Sequence, residues 1–367
     1  MTRITRTLGL SLACALAAAA VPQSASAQVP DMDFPADQDF VHEWTGITLP
    51  ASIGALKRGP IKAFQERQSN IGSQYSDEGN TFLSVYLYRH GAGDASVWHD
   101  RARHAIVSRD AYADFDPDAW RTTYFAPGGS GPKSGIMTVG QSDGGTYRST
   151  GVAIFTRGEW MMKIRMSSRR LDATALQGAM TTALNQLGMT AAGSGENAAY
   201  PIEQCADDIT FSNAERITDP NRISELSAVG GINAATRDDL AAMMQGGSQA
   251  RYCRQGDNRE AYSLYRDRGT KDAYLVAWRD AGVAIVVSRV GDIVGLSSGN
   301  DGQHPEYAAI LSSALEHKLG GPFDGLPSPQ QAYEAAFGDS YFATATRPLG
   351  DEGSEVTVTT GSGGEDN

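Results

Sequence analysis

The chain has 367 residues, with 43 acidic against 31 basic side chains and a formal net charge of −12 at pH 7. A chain of this length usually exceeds one hydrophobic core, so we expect two domains. The acidic balance disfavours nucleic acid and anionic membrane surfaces as the main partners. Beyond the N-terminal segment no apolar run approaches the ~18 residues of a membrane-spanning helix, so we expect no transmembrane segment in the mature chain.

The N-terminal segment has the three parts of a signal peptide. Arg3 and Arg6 form a positively charged start, an apolar run follows over residues 8–21, and residues 25–27 (Ala-Ser-Ala) provide a small-residue cleavage site. This pattern predicts a signal peptide over residues 1–27. It also predicts export to the periplasm, with secretion as the alternative.

The first half of the mature chain is predicted to be an α+β module over residues 44–190, preceded by an acidic extended leader over residues 28–43. Alternating apolar and polar residues predict strands, and an apolar stripe after Asp94 predicts a helix that ends near Arg109. The predicted strands are residues 61–67, 71–76, 81–89, 122–125 and 136–141.

Residues 151–166 give the strongest folding signal in the chain and predict a β-hairpin with a two-residue loop at Arg157-Gly158. Because side chains alternate along a strand, one face of this hairpin is apolar and includes Phe155, Trp160 and Ile164. The opposite face mixes apolar and basic side chains, namely Val152, Ile154, Met161, Lys163 and Arg165.

The apolar hairpin face requires a cover, and the next segment of the chain can provide it. Helical spacing of Leu176, Met180 and Leu184 predicts a helix over residues 172–187. We therefore expect an antiparallel sheet covered by a helix, which is an α+β layer.

A linker over residues 191–199 is predicted to separate this module from a second α+β module over residues 200–345. The second half repeats the order of strands followed by a helix, so two tandem modules of similar fold are a hypothesis, although the halves share negligible sequence identity. Residues 346–367 are predicted to form a disordered acidic tail. The predicted strands are residues 261–265, 274–279, 283–289 and 293–296, and the predicted helices are residues 236–244, 304–319 and 328–337.

Two cysteines, Cys205 and Cys253, remain once the signal peptide with Cys14 is removed. Two cysteines in an exported chain most simply pair with each other, and closing a loop of about 49 residues stabilises a fold by roughly 4 kcal/mol in the chain-entropy model. Neither cysteine lies in a CxxC motif or close to a histidine in sequence, which argues against a metal site. We therefore predict a disulfide between them.

The first half resembles a group of uncharacterised exported bacterial proteins. The resemblance rests on Leu49-Pro50 followed by residues 53–58 (Ile-Gly-Ala-Leu-Lys-Arg), on residues 85–88 (Val-Tyr-Leu-Tyr), and on Phe155 and residues 163–165 (Lys-Ile-Arg) followed by a helix. It covers roughly residues 44–188. No activity is attached to that group, so the resemblance implies residence in the periplasm and nothing catalytic.

Basic side chains concentrate on or near the hairpin face that is not apolar. A solvated charged face is the ordinary explanation for such a cluster, and a surface that binds an anion or a partner is the alternative. The alternative is motivated by Ile154 and Met161, which make the face neither fully polar nor fully buried. The residues of this possible partner surface are Arg157, Lys163, Arg165 and Arg169.

No catalytic, cofactor-binding or metal-binding residue is assigned from the sequence. The glycine-rich residues 128–135 lack the Gly-Lys-Ser/Thr ending of a phosphate loop, and Asp114, Asp116 and Asp118 lack the glycine and glutamate that complete a calcium loop. The six histidines form no HExxH motif, and no Gly-x-Ser-x-Gly elbow is present.

These observations favour a non-catalytic binding or accessory protein of the cell envelope, without a cofactor, whose partner is an unknown protein or small ligand and not a nucleic acid. The alternative is a periplasmic hydrolase whose site is built from dispersed Ser, His and Asp residues, because such triads are recognised by geometry and not by sequence position. A pocket with hydrogen-bonded Ser, His and Asp favours the hydrolase, whereas a shallow apolar or basic face favours the binding protein.

Overall fold

The computed structural model describes residues 31–187, 197–223, 251–290, 306–338, 341–350 and 356–358. Within these residues the fold is mostly β-sheet, with one two-stranded sheet, two eight-stranded sheets and few helices. The predicted α+β class, with antiparallel sheets each covered by helices, is therefore wrong. The sheets are antiparallel as predicted, but the central core forms between the two large sheets and not beneath a layer of helices.

The first half of the chain forms the small sheet and the first large sheet. The strands are β1 (Phe40–Val41), β2 (Thr48–Leu49), β3 (Ser52–Ile53), β4 (Leu56–Gln65), β5 (Asn70–Asp77), β6 (Thr81–Arg89), β7 (Arg121–Phe125), β8 (Gly135–Gln141), β9 (Ser149–Arg157) and β10 (Trp160–Ser168). Strand β1 pairs with β2, and the large sheet has the order β3-β4-β5-β6-β10-β9-β8-β7. The last strand in sequence, β10, therefore lies at the centre of this sheet.

Two helices belong to the first half, α1 (Ala95–Val107) and α2 (Ala173–Gln186), and both confirm helices predicted from the sequence. Asp94 and Asp172 begin them, because each carboxylate accepts a hydrogen bond from a backbone N–H of the first turn, at 3.0 Å and 2.8 Å. Short 3₁₀ turns lie at Glu66–Gln68, Asp110–Tyr112 and Pro117–Ala119.

The predicted hairpin is present as β9 and β10, with a different loop. Arg157 pairs with Trp160, so the loop is Gly158-Glu159 and not Arg157-Gly158. Gly158 has φ +58°, a conformation that glycine adopts without steric cost. Phe155 pairs with Met162 instead of Trp160. Trp160 and Met162 are two residues apart in β10 and lie on the same face of the strand. The residues predicted to share each face of the hairpin therefore still do so.

The apolar face of the hairpin packs beneath α2, as predicted. Phe155, Ile164 and Met166 share one core with Leu176 and Met180, and none of the five side chains is more than 3 % exposed. Burying one such side chain contributes about 1.5–3 kcal/mol relative to leaving it in water. This cluster anchors α2 on the outer face of the first large sheet.

The second half forms the second large sheet, a meander whose strands follow chain order. Its elements are β11 (Tyr252–Arg254), β12 (Tyr262–Asp267), β13 (Tyr274–Trp278), β14 (Val283–Arg289), β15 (Tyr307–Ser312), β16 (Glu316–Phe323), α3 (Pro329–Phe337), β17 (Tyr341–Thr346) and β18 (Val356–Val358). Strand β18 lies within the tail that the sequence predicts to be disordered, and it pairs with β17.

The helix predicted over residues 304–319 is wrong, because its described part forms β15 and the start of β16. The segment is rich in alanine and leucine at helical spacing. Every residue of β15 is buried, so this strand lacks the alternation by which a half-exposed strand is recognised. The helix predicted over residues 328–337 is confirmed as α3, which Ser328 begins in a capping box with Gln331.

Some predictions fall outside the described residues. These are the signal peptide over residues 1–27, the helix over residues 236–244, the strand over residues 293–296 and most of the linker over residues 191–199.

The predicted disulfide between Cys205 and Cys253 is present. It joins the segment before the second sheet to β11. The same two segments also exchange backbone hydrogen bonds, from Cys205 N to Arg254 O at 2.9 Å and from Arg254 N to Glu203 O at 2.8 Å. The covalent bond therefore fixes a chain segment that has little regular structure of its own.

The two large sheets pack on each other with α1 between them. Trp98 of α1, Ile154 of the first sheet, and Leu275 and Ile310 of the second sheet belong to one core, each at most 2 % exposed. The hairpin face opposite α2 is therefore turned towards the second half of the molecule.

Arginine side chains connect the two halves through buried hydrogen bonds. The Nη1 atom of Arg89 donates to the backbone oxygens of Arg347 at 2.7 Å and Pro348 at 3.0 Å. Its Nη2 atom lies 2.5 Å from Oε2 of Glu159, and the other carboxylate oxygen, Oε1, lies 3.3 Å from Nη2 of Arg347. Arg101 of α1 donates to three backbone oxygens of the second half. Charge-assisted hydrogen bonds of this kind are roughly twice as strong as neutral ones.

Candidate functional site

A pocket of about 240 Å³ opens where the first large sheet, α1 and the turn after β13 meet. Its aromatic lining residues are Phe64, Tyr86 and Tyr88. Its charged lining residues are Arg109, Lys163, Arg165 and Asp280. The pocket therefore combines ring surfaces with three cations and one carboxylate.

The central strand β10 places two of these cations. Lys163 and Arg165 are two residues apart, so both side chains leave the sheet on the same face. They lie opposite Tyr86 and Ser84 of β6. Because β10 is paired on both sides, with β6 and β9, the spacing of these groups is fixed by two ladders of backbone hydrogen bonds.

The ammonium group of Lys163 is engaged by the second sheet. Its Nζ atom donates to the backbone oxygen of Asp280 at 2.7 Å and lies 3.0 Å from Oδ2 of the same residue. It also lies 4.7 Å from the ring centroid of Tyr86 and 5.6 Å from that of Tyr88. A buried ammonium requires such partners, so Lys163 fixes the turn that carries Asp280 against the pocket wall.

The carboxylate of Asp280 balances Lys163. Burial acts to raise the pKa of Asp280, but the charge and hydrogen bond of Lys163 and the charges of Arg109 and Arg101 together outweigh it, and the pKa lies below its ordinary value. Asp280 is therefore ionised at neutral pH, and the pair contributes no net charge to the pocket.

The guanidinium of Arg165 lies over the ring of Tyr112, 4.7 Å from its centroid. Burial lowers the pKa of Arg165, Tyr112 opposes this shift, and the positive charge of Arg109 adds to it. Arg109 itself is exposed at the end of α1. In the described part of the chain, neither Arg109 nor Arg165 forms an ion pair with a carboxylate. The pocket therefore keeps two cations that can bind an anion.

Two of the four residues of the possible partner surface line this pocket, Lys163 and Arg165. Arg157 is half-buried at the end of the hairpin, away from the pocket. Arg169 is exposed beyond β10, where its guanidinium lies 5.9 Å from the ring centroid of Phe82. The four residues thus do not form one continuous face.

Sequence reasoning missed five of the aromatic and charged residues of the pocket, namely Phe64, Tyr86, Tyr88, Arg109 and Asp280. The sequence places the three aromatic residues in strands, Arg109 at a helix end and Asp280 in a turn. Nothing in the sequence places Asp280 beside Lys163, because 117 residues separate them.

The described residues contain neither a metal site nor a catalytic triad. No group of three or more His, Cys, Asp or Glu side chains among them could hold a metal ion. His90, His99 and His317 are buried, and burial lowers the pKa of each, to about 4, 3 and 3 respectively. No described histidine is hydrogen-bonded to a serine, so these ranges contain no assembled Ser-His-Asp triad.

The disulfide fits a protein of an oxidising compartment, such as the periplasm or the extracellular space. Within the described ranges, every helix is too short or too polar to cross a lipid bilayer.

The fold and the pocket define a mostly β, disulfide-bonded protein with two packed antiparallel sheets and a cationic, aromatic pocket at their junction. Comparisons with protein-family models, with curated proteins and with solved structures found no match. The chemistry of the site therefore has to be inferred from its own residues.

Proposed function

We propose that this chain is an exported, non-catalytic binding protein of the periplasm that holds a small anionic ligand in the pocket between its two sheets. The observation that carries the proposal is the pair Arg109 and Arg165, two guanidinium groups that line one pocket and form no ion pair among the described residues, although the charge of Arg109 contributes to the lowered pKa of Asp280.

The chemistry of these groups suits an anion. A guanidinium donates paired hydrogen bonds to a carboxylate or a phosphate, and it remains charged at any physiological pH. The chain as a whole is acidic, with a net charge of −12. A cationic pocket in such a chain directs an anion to one place instead of attracting polyanions to the whole surface.

The pocket is also held in shape before a ligand arrives. The Lys163–Asp280 pair fixes one wall, and the stacking of Arg165 on Tyr112 fixes another. Preorganised groups lose less conformational entropy on binding, which favours affinity.

Isothermal titration of the mature, disulfide-bonded protein at low ionic strength tests the proposal, with inorganic phosphate and D-galacturonate as probes. We expect saturable binding of at least one probe. Arg165→Gln and Arg109→Gln each weaken it about tenfold or more, because a hydrogen bond to a charged group contributes about 1.5–3 kcal/mol.

Arg157→Gln is the matched control, because it removes the same charge outside the pocket and leaves the affinity unchanged. Binding that is indifferent to both pocket arginines, or no binding of either probe, overturns the proposal.

A further inference from the structure

The pocket continues into an open groove on the first large sheet. The groove has a volume of about 480 Å³ and lies over β4, β5 and β6. It shares Phe64 and Tyr86 with the pocket, and the centroids of these two rings are 6.3 Å apart. The rings thus form a ridge between the two cavities, and a ligand longer than the pocket can extend across it.

A β-bulge places Phe64 on this ridge. The pairing of β4 with β5 joins Ala63 to Ile71 and Gln65 to Asn70, which leaves Phe64 without a partner residue. A bulge of this kind redirects a side chain. The side chain of Phe64 is consequently 40 % exposed, although it is a large apolar group.

Gly72 allows both rings to lie close to the sheet. It pairs with Tyr86 on one side and with Lys62 on the other. A β-carbon added to Gly72 would lie 2.9 Å from Cδ1 of Tyr86 and 3.0 Å from Cε2 of Phe64. Because Gly72 has no side chain, the two rings can lie close to the sheet and form the ridge.

The rest of the groove presents hydrogen-bonding groups and cations. Gln74, Ser76 and Ser84 provide an amide and two hydroxyl groups, and Lys57 is exposed at one end. A second lysine, Lys62, is paired with Asp31 at 3.1 Å. None of the described residues that line the groove is a carboxylate.

The position of the groove argues against an extended peptide. Strands β5 and β6 are each paired on both sides, so they cannot accept a further strand through their backbone groups. The outer edge of β4 pairs with β3 at Leu56 and Lys57, and Lys62 forms an isolated bridge with Asp31. The surface offers hydroxyl groups, an amide and aromatic rings instead, which suit a polyhydroxylated chain.

We infer that the groove and the pocket together bind an acidic oligosaccharide. An acidic group of the sugar chain lies at Arg109 and Arg165, and the adjoining sugar rings lie on Phe64 and Tyr86. The inference rests on the proposed function and names the class of its ligand.

Titration of the mature protein with D-galacturonate and with its linear tetramer tests the inference. The tetramer binds at least tenfold more tightly than the monomer. A neutral tetrasaccharide of glucose and a tetra-aspartate peptide each bind at least tenfold more weakly than the acidic tetramer. Gln74→Ala, which alters the groove alone, weakens the tetramer severalfold and leaves the affinity for the monomer unchanged. Phe64→Ala lowers the ratio of tetramer affinity to monomer affinity more than Gln74→Ala does.

Phe337→Ala is the matched control, because Phe337 is 42 % exposed but lies on α3 of the second half. The inference is overturned if the monomer and the tetramer bind with equal affinity. It is also overturned if the peptide or a tetrameric deoxythymidylate binds as tightly as the acidic tetramer. In either case, binding of the monomer still supports the proposed function. Absence of binding by every anion overturns both.

Discussion

The ammonium nitrogen of Lys163 lies 3.0 Å from a carboxylate oxygen of Asp280, and this contact joins the two eight-stranded sheets. The side chain of Lys163 is 8 % exposed and that of Asp280 is 34 % exposed. The pair lies in the wall of the pocket, so the shape of the site depends on how the two halves of the chain pack.

Asp280→Asn tests this contact, because it leaves a buried ammonium without a charged partner. We expect the free energy of unfolding to fall by about 2–3 kcal/mol, somewhat less than the 3–5 kcal/mol lost when a fully buried pair is broken. Urea denaturation measures the loss. Asp207→Asn is the control, because Asp207 pairs with Lys271 at 2.9 Å on the surface. Equal losses in the two variants contradict the prediction.

Removal of the disulfide is expected to destabilise the second half. A variant with both Cys205→Ser and Cys253→Ser loses about 2–4 kcal/mol of unfolding free energy, because the bond joins two residues that are 48 positions apart in sequence. Chemical denaturation with and without dithiothreitol measures this loss. The reductant lowers the stability of the native protein to that of the variant and leaves the variant unchanged. A native protein that is insensitive to reduction contradicts the prediction.

Stability is expected to fall with pH below about 6.5 because of buried neutral histidines. Burial lowers the pKa of His99 from 6.5 to about 3, so the unfolded chain takes up this proton at a higher pH than the folded protein. The stabilising contribution is complete above pH 6.5 and is lost as the pH falls towards 3, by about 1.4 kcal/mol per pH unit.

His99→Leu removes this contribution. Denaturation curves between pH 6 and pH 4 measure the slope of stability against pH, which becomes shallower by about 1.4 kcal/mol per unit. His104→Leu, on the same helix but at a half-buried position, changes the slope less. A slope that His99→Leu leaves unaltered shows that His99 is not neutral in the folded protein.

Gly91→Ala is expected to disturb the junction of the two sheets. A β-carbon at Gly91 would lie 2.2 Å from the backbone oxygen of Ser312, so either the loop after β6 or the end of β15 would have to move. We expect a loss of about 1–3 kcal/mol or more, as for other overpacked sites. Thermal and urea unfolding measure it. Gly178→Ala on α2 is the contrast, because no atom lies within 4 Å of the added carbon, and it stabilises by roughly 0.5–1 kcal/mol.

The sequence predicts the local parts of this fold well. Alternation defines the faces of the hairpin, helical spacing places Leu176 and Met180 above it, and Asp94 and Asp172 begin their helices as expected. These features depend on residues that are close in sequence. The pairing of Cys205 with Cys253 is also confirmed. It could be predicted because these are the two cysteines that remain after the predicted signal peptide with Cys14 is removed.

The fold class and most of the pocket depend on contacts that are distant in sequence. In the sequence, Lys163 and Arg165 indicate a strand face exposed to solvent. In the structure, the second half of the chain covers this face and provides Asp280 as the partner of Lys163. Strand β15 is buried on both faces, and its alanine and leucine spacing then fits a helix as well as a strand. Local patterns cannot decide the first case, because Asp280 lies 117 residues from Lys163 along the chain. They cannot decide the second, because a strand buried on both faces shows no alternation.

Arg89 belongs to the first sheet, yet its guanidinium donates to the backbone oxygens of Ala314, Arg347 and Pro348, which follow it by 225, 258 and 259 residues. Its side chain is 4 % exposed, and a buried cation without acceptors is costly. The hydrogen bonds of this arginine can therefore be completed only after residues 347 and 348 have been synthesised, although the strands of the first large sheet end at residue 168. A product shortened ahead of residue 347 keeps every strand of that sheet and the carboxylate of Glu159, but it lacks the backbone oxygens of Arg347 and Pro348 that complete the hydrogen bonding of this guanidinium.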